Sequence, residues 1–293
     1  MEKNTLIRSQ ELAQIMATEP VVLIDTRDPE VYAEGHLPGA VNIREIFSHL
    51  ATSTPEGAAS MQKLFADLLG GAGLSGVERA VIYEDAMNNG YGQSCRGYFL
   101  LKYLGYPCVS ILHGGYKAWQ DAGLPTTTDL PTPERKSFPV ALQPELMMTT
   151  PEMLEAIRDP KVVNLDVRDW VEWVGESSSP YGVDFAPRKG RIPGAVLIEW
   201  YAFMNPGTDE KAPEFKSPEE IRDLASKVGI TPETPVNIYC FKGARASNAF
   251  VALNQAGIEN CRIYFSSWNE WSRDPSLPIE TGAPDPSRPA VRA

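Results

Sequence analysis

The chain of 293 residues contains one pattern twice, and this internal repeat restricts its fold more than any local pattern does. In the first half, an apolar run ends in an Asp-x-Arg turn at Asp25 and is followed by Gly35–Ala40, which reads Gly-His-Leu-Pro-Gly-Ala. In the second half, a similar run ends in an Asp-x-Arg turn at Asp166 and is followed by Gly190–Ala195, which reads Gly-Arg-Ile-Pro-Gly-Ala. The repeat predicts two domains with the same fold.

Each copy continues with the same order of elements: a second β-rich run, a helical stretch and a third β-rich run. The ranges are 80–83, 94–105 and 108–112 in the first copy, and 236–239, 246–257 and 262–265 in the second. Short β runs that alternate with helices are typical of parallel sheets. The predicted fold class is therefore α/β, with two tandem domains that each contain a parallel sheet covered by helices on both faces.

A proline-rich stretch without periodicity separates the two copies. Pro131, Pro133, Pro139 and Pro144 lie there among threonines and charged residues. We expect a first domain over residues 1–128, a linker over 129–148, a second domain over 149–283, and a frayed tail over 284–293.

Charge and cysteine usage narrow the class of function. The formal net charge of −11 disfavours nucleic acid as a partner, because phosphate binding requires a basic face. Four widely spaced cysteines and three scattered histidines form neither a disulfide framework nor a zinc pattern. No run reaches membrane-spanning length, and the N-terminus lacks an apolar signal core. We expect a cytoplasmic protein without a metal, a cofactor or a membrane partner.

One cysteine lies where a strand is predicted to turn into a helix. Cys240 follows the apolar run 235–239, and a helix-like segment begins near Ser247. Backbone N–H groups, the positive end of the helix dipole, Lys242 and Arg245 all favour thiolate over thiol at Cys240. The alternative, a buried cysteine that packs as a small hydrophobe, suits Cys108 and Cys261 better.

These motifs together resemble the rhodanese family, specifically the two-domain sulfurtransferases that include thiosulfate sulfurtransferase and 3-mercaptopyruvate sulfurtransferase. The resemblance covers nearly the whole chain and includes Gly114–Trp119 and the Ser-Trp-Asn-Glu-Trp segment at Ser267. It implies a cysteine on a six-residue loop of the second domain. It also implies a first domain of the same fold without a cysteine. Because Glu84 lies where Cys240 lies in the repeat, the first domain is predicted to be structural.

The resemblance implies sulfur transfer through a Cys240 persulfide. The donor is expected to be thiosulfate, with 3-mercaptopyruvate as the alternative. The acceptor is expected to be cyanide or a thiol, including a protein thiol such as that of thioredoxin. The N–H groups of the loop would hold the anionic sulfur as an anion nest, and its glycine and alanines would keep the nest open. The expected binding residues of the loop are Phe241, Lys242, Gly243, Ala244, Arg245 and Ala246.

The substrate is predicted from the charges on and near the loop. Lys242 and Arg245 are candidate anion handles, although both could be solvated surface charges. Cys-Phe-Lys-Gly keeps a lysine that resembles the thiosulfate-preferring members, whereas the mercaptopyruvate-preferring members resemble Cys-Gly-Ser-Gly. The chain departs from the family at Glu172, where a substrate-binding arginine is usual. Candidate replacements for that arginine are Arg245, Arg188, Lys189 and Arg191, of which Arg191 is included in the predicted binding set.

Five other residues allow two interpretations each. Asp166 and Arg168 are predicted to support the loop by satisfying turn amides and each other rather than to react. Trp268 and Trp271 either wall the pocket or lie buried in the core. Cys95 is either a second reactive thiol or a core cysteine, and the second reading is favoured because only Arg96 accompanies it.

Two other functions compete with sulfur transfer by an enzyme. Cysteine phosphatases also place a thiolate at a helix N-terminus, but their Cys-x5-Arg loop is one residue longer than the spacing from Cys240 to Arg245. The other alternative is a non-enzymatic persulfide carrier or binding protein, which would load sulfur but turn over slowly with small acceptors.

Overall fold

The computed structural model describes residues 5–283, 285 and 289–292. The chain divides into two compact units, and each unit consists of three separate stretches of the sequence. The first unit comprises Met1–His49, Ala59–Gln143 and Asn205–Glu214, and the second comprises Leu50–Ala58, Pro144–Met204 and Phe215–Ala293. The domain and linker limits expected from the sequence alone remain predictions.

The first unit contains a five-stranded sheet in the order β1-β5-β4-β2-β3, with every neighbouring pair parallel. Its strands are β1 Leu6–Ile7, β2 Val21–Asp25, β3 Val41–Asn42, β4 Arg79–Tyr83 and β5 Val109–Leu112. Its helices are α1 Ser9–Thr18, α2 Pro29–Glu34, α3 Glu45–Ser48, most of α4 Pro55–Gly71, α5 Gln93–Tyr103 and α6 Gly115–Asp121.

The second unit contains a five-stranded sheet in the order β11-β10-β6-β7-β12, again all parallel. Its first four strands repeat the order β5-β4-β2-β3, but its fifth strand lies at the opposite edge, beside β7. The remaining strands of the chain are β6 Val163–Asp166, β7 Val196–Ile198, β8 Met204–Asn205, β9 Glu214–Phe215, β10 Val236–Tyr239, β11 Cys261–Ile263 and β12 Ala290–Val291. The helices are α7 Thr150–Ala156, α8 Trp170–Trp173, α9 Pro218–Ser226, α10 Ala244–Gln255 and α11 Ser267–Trp271, with 3-10 turns at Pro144–Leu146 and Trp200–Phe203. Strands β8 and β9 form a separate pair.

The predicted fold class is confirmed, because both units contain a parallel sheet flanked by helices. The tail differs from the prediction over part of its length. Ala290–Val291 form the edge strand β12, which pairs with β7 instead of fraying. The unpaired backbone groups along the edge of β7 can pair with a segment of only two residues, and amino-acid composition does not predict such pairing. Pro284, residues 286–288 and Ala293 of the predicted tail lie outside the described residues.

Local sequence patterns explain why helices and a buried inner strand form in the second unit. The helices α7 and α9 both begin at capping boxes, Thr149 with Glu152 and Ser217 with Glu220. All four residues of β10 are buried, as expected for an inner strand of a covered parallel sheet. Within the part of the chain that the structure describes, every helix is too short or too polar to cross a lipid bilayer.

Candidate active site

Cys240 directly follows β10 at the carboxyl edge of the second sheet. Tyr239, the last residue of β10, pairs with Asp166, the last residue of β6. Gly243 then turns the chain with φ of +88°, and α10 begins at Ala244. Ligands of parallel α/β sheets bind at this edge, beyond the carboxyl ends of the strands.

The helix begins at Ala244 rather than near Ser247, which corrects the sequence prediction. Gly243 adopts the left-handed conformation that turns the chain tightly, and the alanines that follow favour helix. The second half of the predicted loop, Ala244–Ala246, is therefore the first turn of α10. N–H groups in a first turn have no acceptor within the helix, so this turn can still serve an anion.

The sulfur of Cys240 lies within this turn. The Gly243 N–H donates to Sγ over 3.1 Å, and the Ser267 hydroxyl oxygen lies 4.0 Å from Sγ. A Cβ added at Gly243 would lie 2.7 Å from the Phe265 ring and 2.9 Å from its carbonyl oxygen. Cys240 is only 1% exposed, so its sulfur is almost entirely shielded from solvent.

Lys242 and Phe241 contact a segment that the first copy lacks. The Lys242 ammonium lies 4.9 Å from the centroid of the Tyr181 ring, and the Phe241 ring centroid lies 4.9 Å from the same centroid. Phe241 also belongs to the buried core, so its ring serves packing rather than substrate binding. Lys242 is 8% exposed, which is far less than a solvated surface lysine.

Arg245 forms a buried ion pair with Glu172. Its two terminal nitrogens donate to the two carboxylate oxygens over 2.6 and 3.1 Å, and Asp169 lies 3.5 Å away. Burial lowers the pKa of Arg245, but the neighbouring acidic groups, with Glu172 first among them, together raise it above its ordinary value. Burial raises the pKa of Glu172, but Arg245, Arg168 and a backbone N–H together lower it below its ordinary value. Both groups are therefore charged. The prediction that Arg245 replaces the missing arginine as a free anion handle needs correction, because Glu172 already compensates its charge.

The other predicted cations have structural partners. Arg188 donates to the carbonyl oxygens of Trp271, Ser272, Asp274 and Leu277. Arg191 donates to the carbonyl oxygens of Trp173 and Gly282, pairs with Glu280 and stacks on the Trp173 ring. Lys189 donates to the Glu176 carbonyl oxygen. Because the Arg191 donors serve the fold, we leave Arg191 out of the proposed binding set.

Asp166 and Arg168 form a buried bracket at the end of β6. The Arg168 guanidinium bonds both Asp166 oxygens at 2.6 to 3.1 Å and donates to the Gly190 carbonyl oxygen over 2.7 Å. The first unit contains the same bracket, in which Arg27 bonds Asp25 and the Gly35 carbonyl oxygen. These contacts support a structural role, and the bracket does not depend on the presence of a reactive cysteine.

Trp268 and Trp271 lie in the core rather than on a pocket wall. Both side chains are fully buried in a cluster with Tyr239, Phe241 and Tyr264. Their indole N–H groups donate to backbone carbonyl oxygens, which satisfies the polar end of each ring. The buried alternative therefore describes both residues.

The first unit has a carboxylate at the position of the thiol. Glu84 follows β4 as Cys240 follows β10, and its Oε2 accepts the Ser94 N–H over 2.5 Å at the start of α5. Burial raises the pKa of Glu84 to about 8. Cys95, one residue further along α5, is fully buried, and the Arg96 guanidinium bonds backbone carbonyl oxygens. These contacts support the core reading of Cys95.

Sequence reasoning missed two residues that contact the segment 240–242, namely Tyr181 and Ser267. Tyr181 lies in the insertion between the second Asp-x-Arg turn and Gly190, and nothing in its local sequence indicates a contact with the loop. Ser267 aligns with Gly115 in the repeat, and this exchange of glycine for serine is the sequence signal that points to Ser267. Across residues 5–283, 285 and 289–292, no group of three His, Cys, Asp or Glu side chains is placed to hold a metal ion.

The fold and the site define a tandem α/β protein in which only one of two matching turns contains a cysteine. The rhodanese-like domain pattern matches residues 9–122 and 149–274, and the chain belongs to that family.

Relatives and solved structures match over most of their length. A Haloferax volcanii protein named as a candidate thiosulfate sulfurtransferase is 34% identical over 87% of this chain and 86% of its own. The sulfur carrier protein TtuD of Thermus thermophilus is 30% identical over 94% and 96%. The anaerobic ergothioneine biosynthesis enzyme of Chlorobium limicola, solved with trimethyl histidine, superposes with a TM-score of 0.81 at 26% identity, covering 96% of this chain and 71% of that one.

Proposed function

We propose that this protein is a sulfurtransferase that moves sulfane sulfur from thiosulfate to a thiophilic acceptor through a Cys240 persulfide. Family membership and the names of the relatives support sulfur transfer. The observation that carries the proposal is the Gly243 N–H donated to Sγ over 3.1 Å at the head of α10. This geometry stabilises an anionic sulfur with fixed dipoles.

The reaction is a double displacement with balanced charge. The Cys240 thiolate attacks the outer sulfur of thiosulfate, a new S–S bond forms, and sulfite leaves with the electron pair of the old S–S bond. The persulfide anion then gives its terminal sulfur to cyanide, which becomes thiocyanate, or to a thiolate, which becomes a new persulfide, and the Cys240 thiolate returns.

Lys242 supports thiosulfate as the donor, whereas the ion pair between Arg245 and Glu172 argues against it. Lys242 lies two residues after Cys240 in the sequence, and its ammonium lies against the Tyr181 ring. Because Glu172 compensates Arg245, the site presents one less net positive charge than the loop sequence suggests. A dianionic donor therefore depends on Lys242 and on the N–H groups of the turn.

The same Arg245 pairing weakens the phosphatase alternative. A phosphatase arginine must release both terminal nitrogens to the phosphate, whereas those of Arg245 bond Glu172 in the interior. A persulfide carrier remains the second candidate, supported by the 30% identity to the Thermus thermophilus sulfur carrier. The cytoplasm and a protein thiol such as that of thioredoxin as the acceptor remain predictions.

A comparison of two donors tests the proposal. Thiocyanate formation from thiosulfate and cyanide is measured beside sulfur release from 3-mercaptopyruvate, for the wild type, Cys240→Ala and the control Cys108→Ser. We expect thiosulfate activity in the wild type and control and none in Cys240→Ala, with one added sulfur atom at Cys240 by mass spectrometry. Activity in Cys240→Ala would refute the mechanism, and a strong preference for mercaptopyruvate would refute the donor. Loading without turnover would identify a carrier.

A further inference from the structure

A serine occupies a backbone position that favours glycine, directly beside the thiol. Ser267 begins α11 with φ of +55°, and it is one of two non-glycine residues with positive φ among the residues that the structure describes. The other is Tyr91. Residues with a Cβ rarely adopt this left-handed conformation, and positions that do so cluster at functional sites.

The first copy shows what the fold alone requires at this position. The residue that matches Ser267 in the repeat is Gly115, with φ of +69°. The hydrogen bonds around the two residues are the same: Tyr116 N–H donates to the Glu84 carbonyl oxygen over 2.8 Å, and Trp268 N–H donates to the Cys240 carbonyl oxygen over 3.0 Å. Glycine therefore suffices for the turn, and the serine side chain requires another explanation.

The serine hydroxyl provides that explanation through Cys240. The hydroxyl oxygen accepts the Cys240 N–H over 3.1 Å and lies 4.0 Å from Sγ, and the hydroxyl O–H donates to the Tyr264 carbonyl oxygen over 2.7 Å. The side chain is fully buried, so water does not compete for these bonds. The hydroxyl thus links the backbone of the cysteine to the end of the neighbouring strand.

We propose that Ser267 is a positioning residue for the reaction of Cys240. Its hydroxyl fixes the Cys240 backbone nitrogen and so holds the sulfur where the Gly243 N–H points at it. The unit with the thiol contains this hydroxyl, and the unit with Glu84 contains glycine instead. The inference rests on the proposed sulfur chemistry for its rate measurement, but not for its alkylation measurement.

Replacement by the first copy's residue provides the test. Ser267→Gly relieves the strained backbone, which stabilises the fold, and removes the buried hydrogen bond, which destabilises it. Because these two effects oppose each other, we expect a melting temperature within about 3 °C of the wild type. Persulfide formation in a single turnover with thiosulfate should slow by about tenfold or more, with little change in the thiosulfate concentration for half-maximal rate. The pH profile of Cys240 alkylation by iodoacetamide should shift to higher pH.

Two further variants separate positioning from folding. Ser267→Ala keeps the strain and loses the hydroxyl, so it should melt lower than Ser267→Gly and react as slowly. Ser272→Ala removes another buried hydroxyl and should match the wild type in both assays. A wild-type rate and alkylation profile in Ser267→Gly would overturn the proposal. A wild type that is alkylated readily but forms no persulfide would refute the thiosulfate chemistry and leave the Ser267 alkylation test intact.

Discussion

The Glu172–Arg245 ion pair makes a quantitative prediction for the stability of the cysteine loop. Glu172 is 1% exposed and its oxygens lie 2.6 and 3.1 Å from the Arg245 nitrogens. Removing one partner of a buried pair costs about 3–5 kcal/mol, because the other charge stays buried without compensation. Glutamine keeps an acceptor oxygen, so we expect Glu172→Gln to lose about 3 kcal/mol.

Thermal and urea denaturation measure this loss. For a chain of this size, 1 kcal/mol corresponds to about 2–4 °C, so Glu172→Gln should melt about 6–12 °C below the wild type. Asp169→Asn is the matched control, since Asp169 is 34% exposed and lies 3.5 Å from Arg245. Its loss should stay below about 1 kcal/mol. Glu172→Gln should also lower KM for thiosulfate, because Arg245 then offers an uncompensated charge.

A double-mutant cycle identifies the pair as the cause. Glu172→Gln combined with Arg245→Gln removes both charges, so the two losses should fail to add by about 2 kcal/mol or more. A Glu172→Gln variant that melts within about 2 °C of the wild type would refute the reasoning. Additive losses in the cycle would do the same.

Three further predictions follow from contacts around the two turns. Gly243→Ala should lose about 2 kcal/mol or more and most persulfide formation. The control Gly229→Ala has a similar φ of +79° but open space at Cβ, and an equal loss there would contradict the overlap with Phe265. Tyr181→Ala should raise KM for thiosulfate about two- to fivefold, whereas Tyr181→Phe should not; equal effects would exclude the ring contact. Because the pKa of Glu84 is raised to about 8, folding favours its protonated form, and stability is lost as pH rises from about 4.5 through 8. Glu84→Gln should remove this loss in urea denaturation at pH 5, 7 and 9, and identical pH dependence in both proteins would count against a buried carboxyl.

The sequence was sufficient for the features that depend on local pattern and repetition. The repeated runs predict both parallel sheets, and the strand-to-helix turn predicts the place of Cys240. The sequence pattern predicts the start of α10 near Ser247, whereas the helix begins at Ala244 because the alanines after Gly243 favour helix.

The features that the sequence missed depend on side chains that meet across long separations. Glu172 and Arg245 are 73 residues apart, and no local pattern pairs them. Tyr181 reaches Lys242 from an insertion whose path the sequence does not define. The burial of Trp268 and Trp271 likewise follows from how α11 packs against the core.

The Asp-Arg bracket at the end of β2 and β6 has a consequence for assigning reactions to tandem domains. Its contacts are nearly identical in both units, down to the 2.7 Å bond from arginine to a glycine carbonyl oxygen. A search that recognised catalytic domains by their Asp-x-Arg turns alone would count two catalytic domains in this chain. Two other positions distinguish the units. The residue after β4 is Glu84, whereas the residue after β10 is Cys240. The first residue of α6 is Gly115, whereas the first residue of α11 is Ser267.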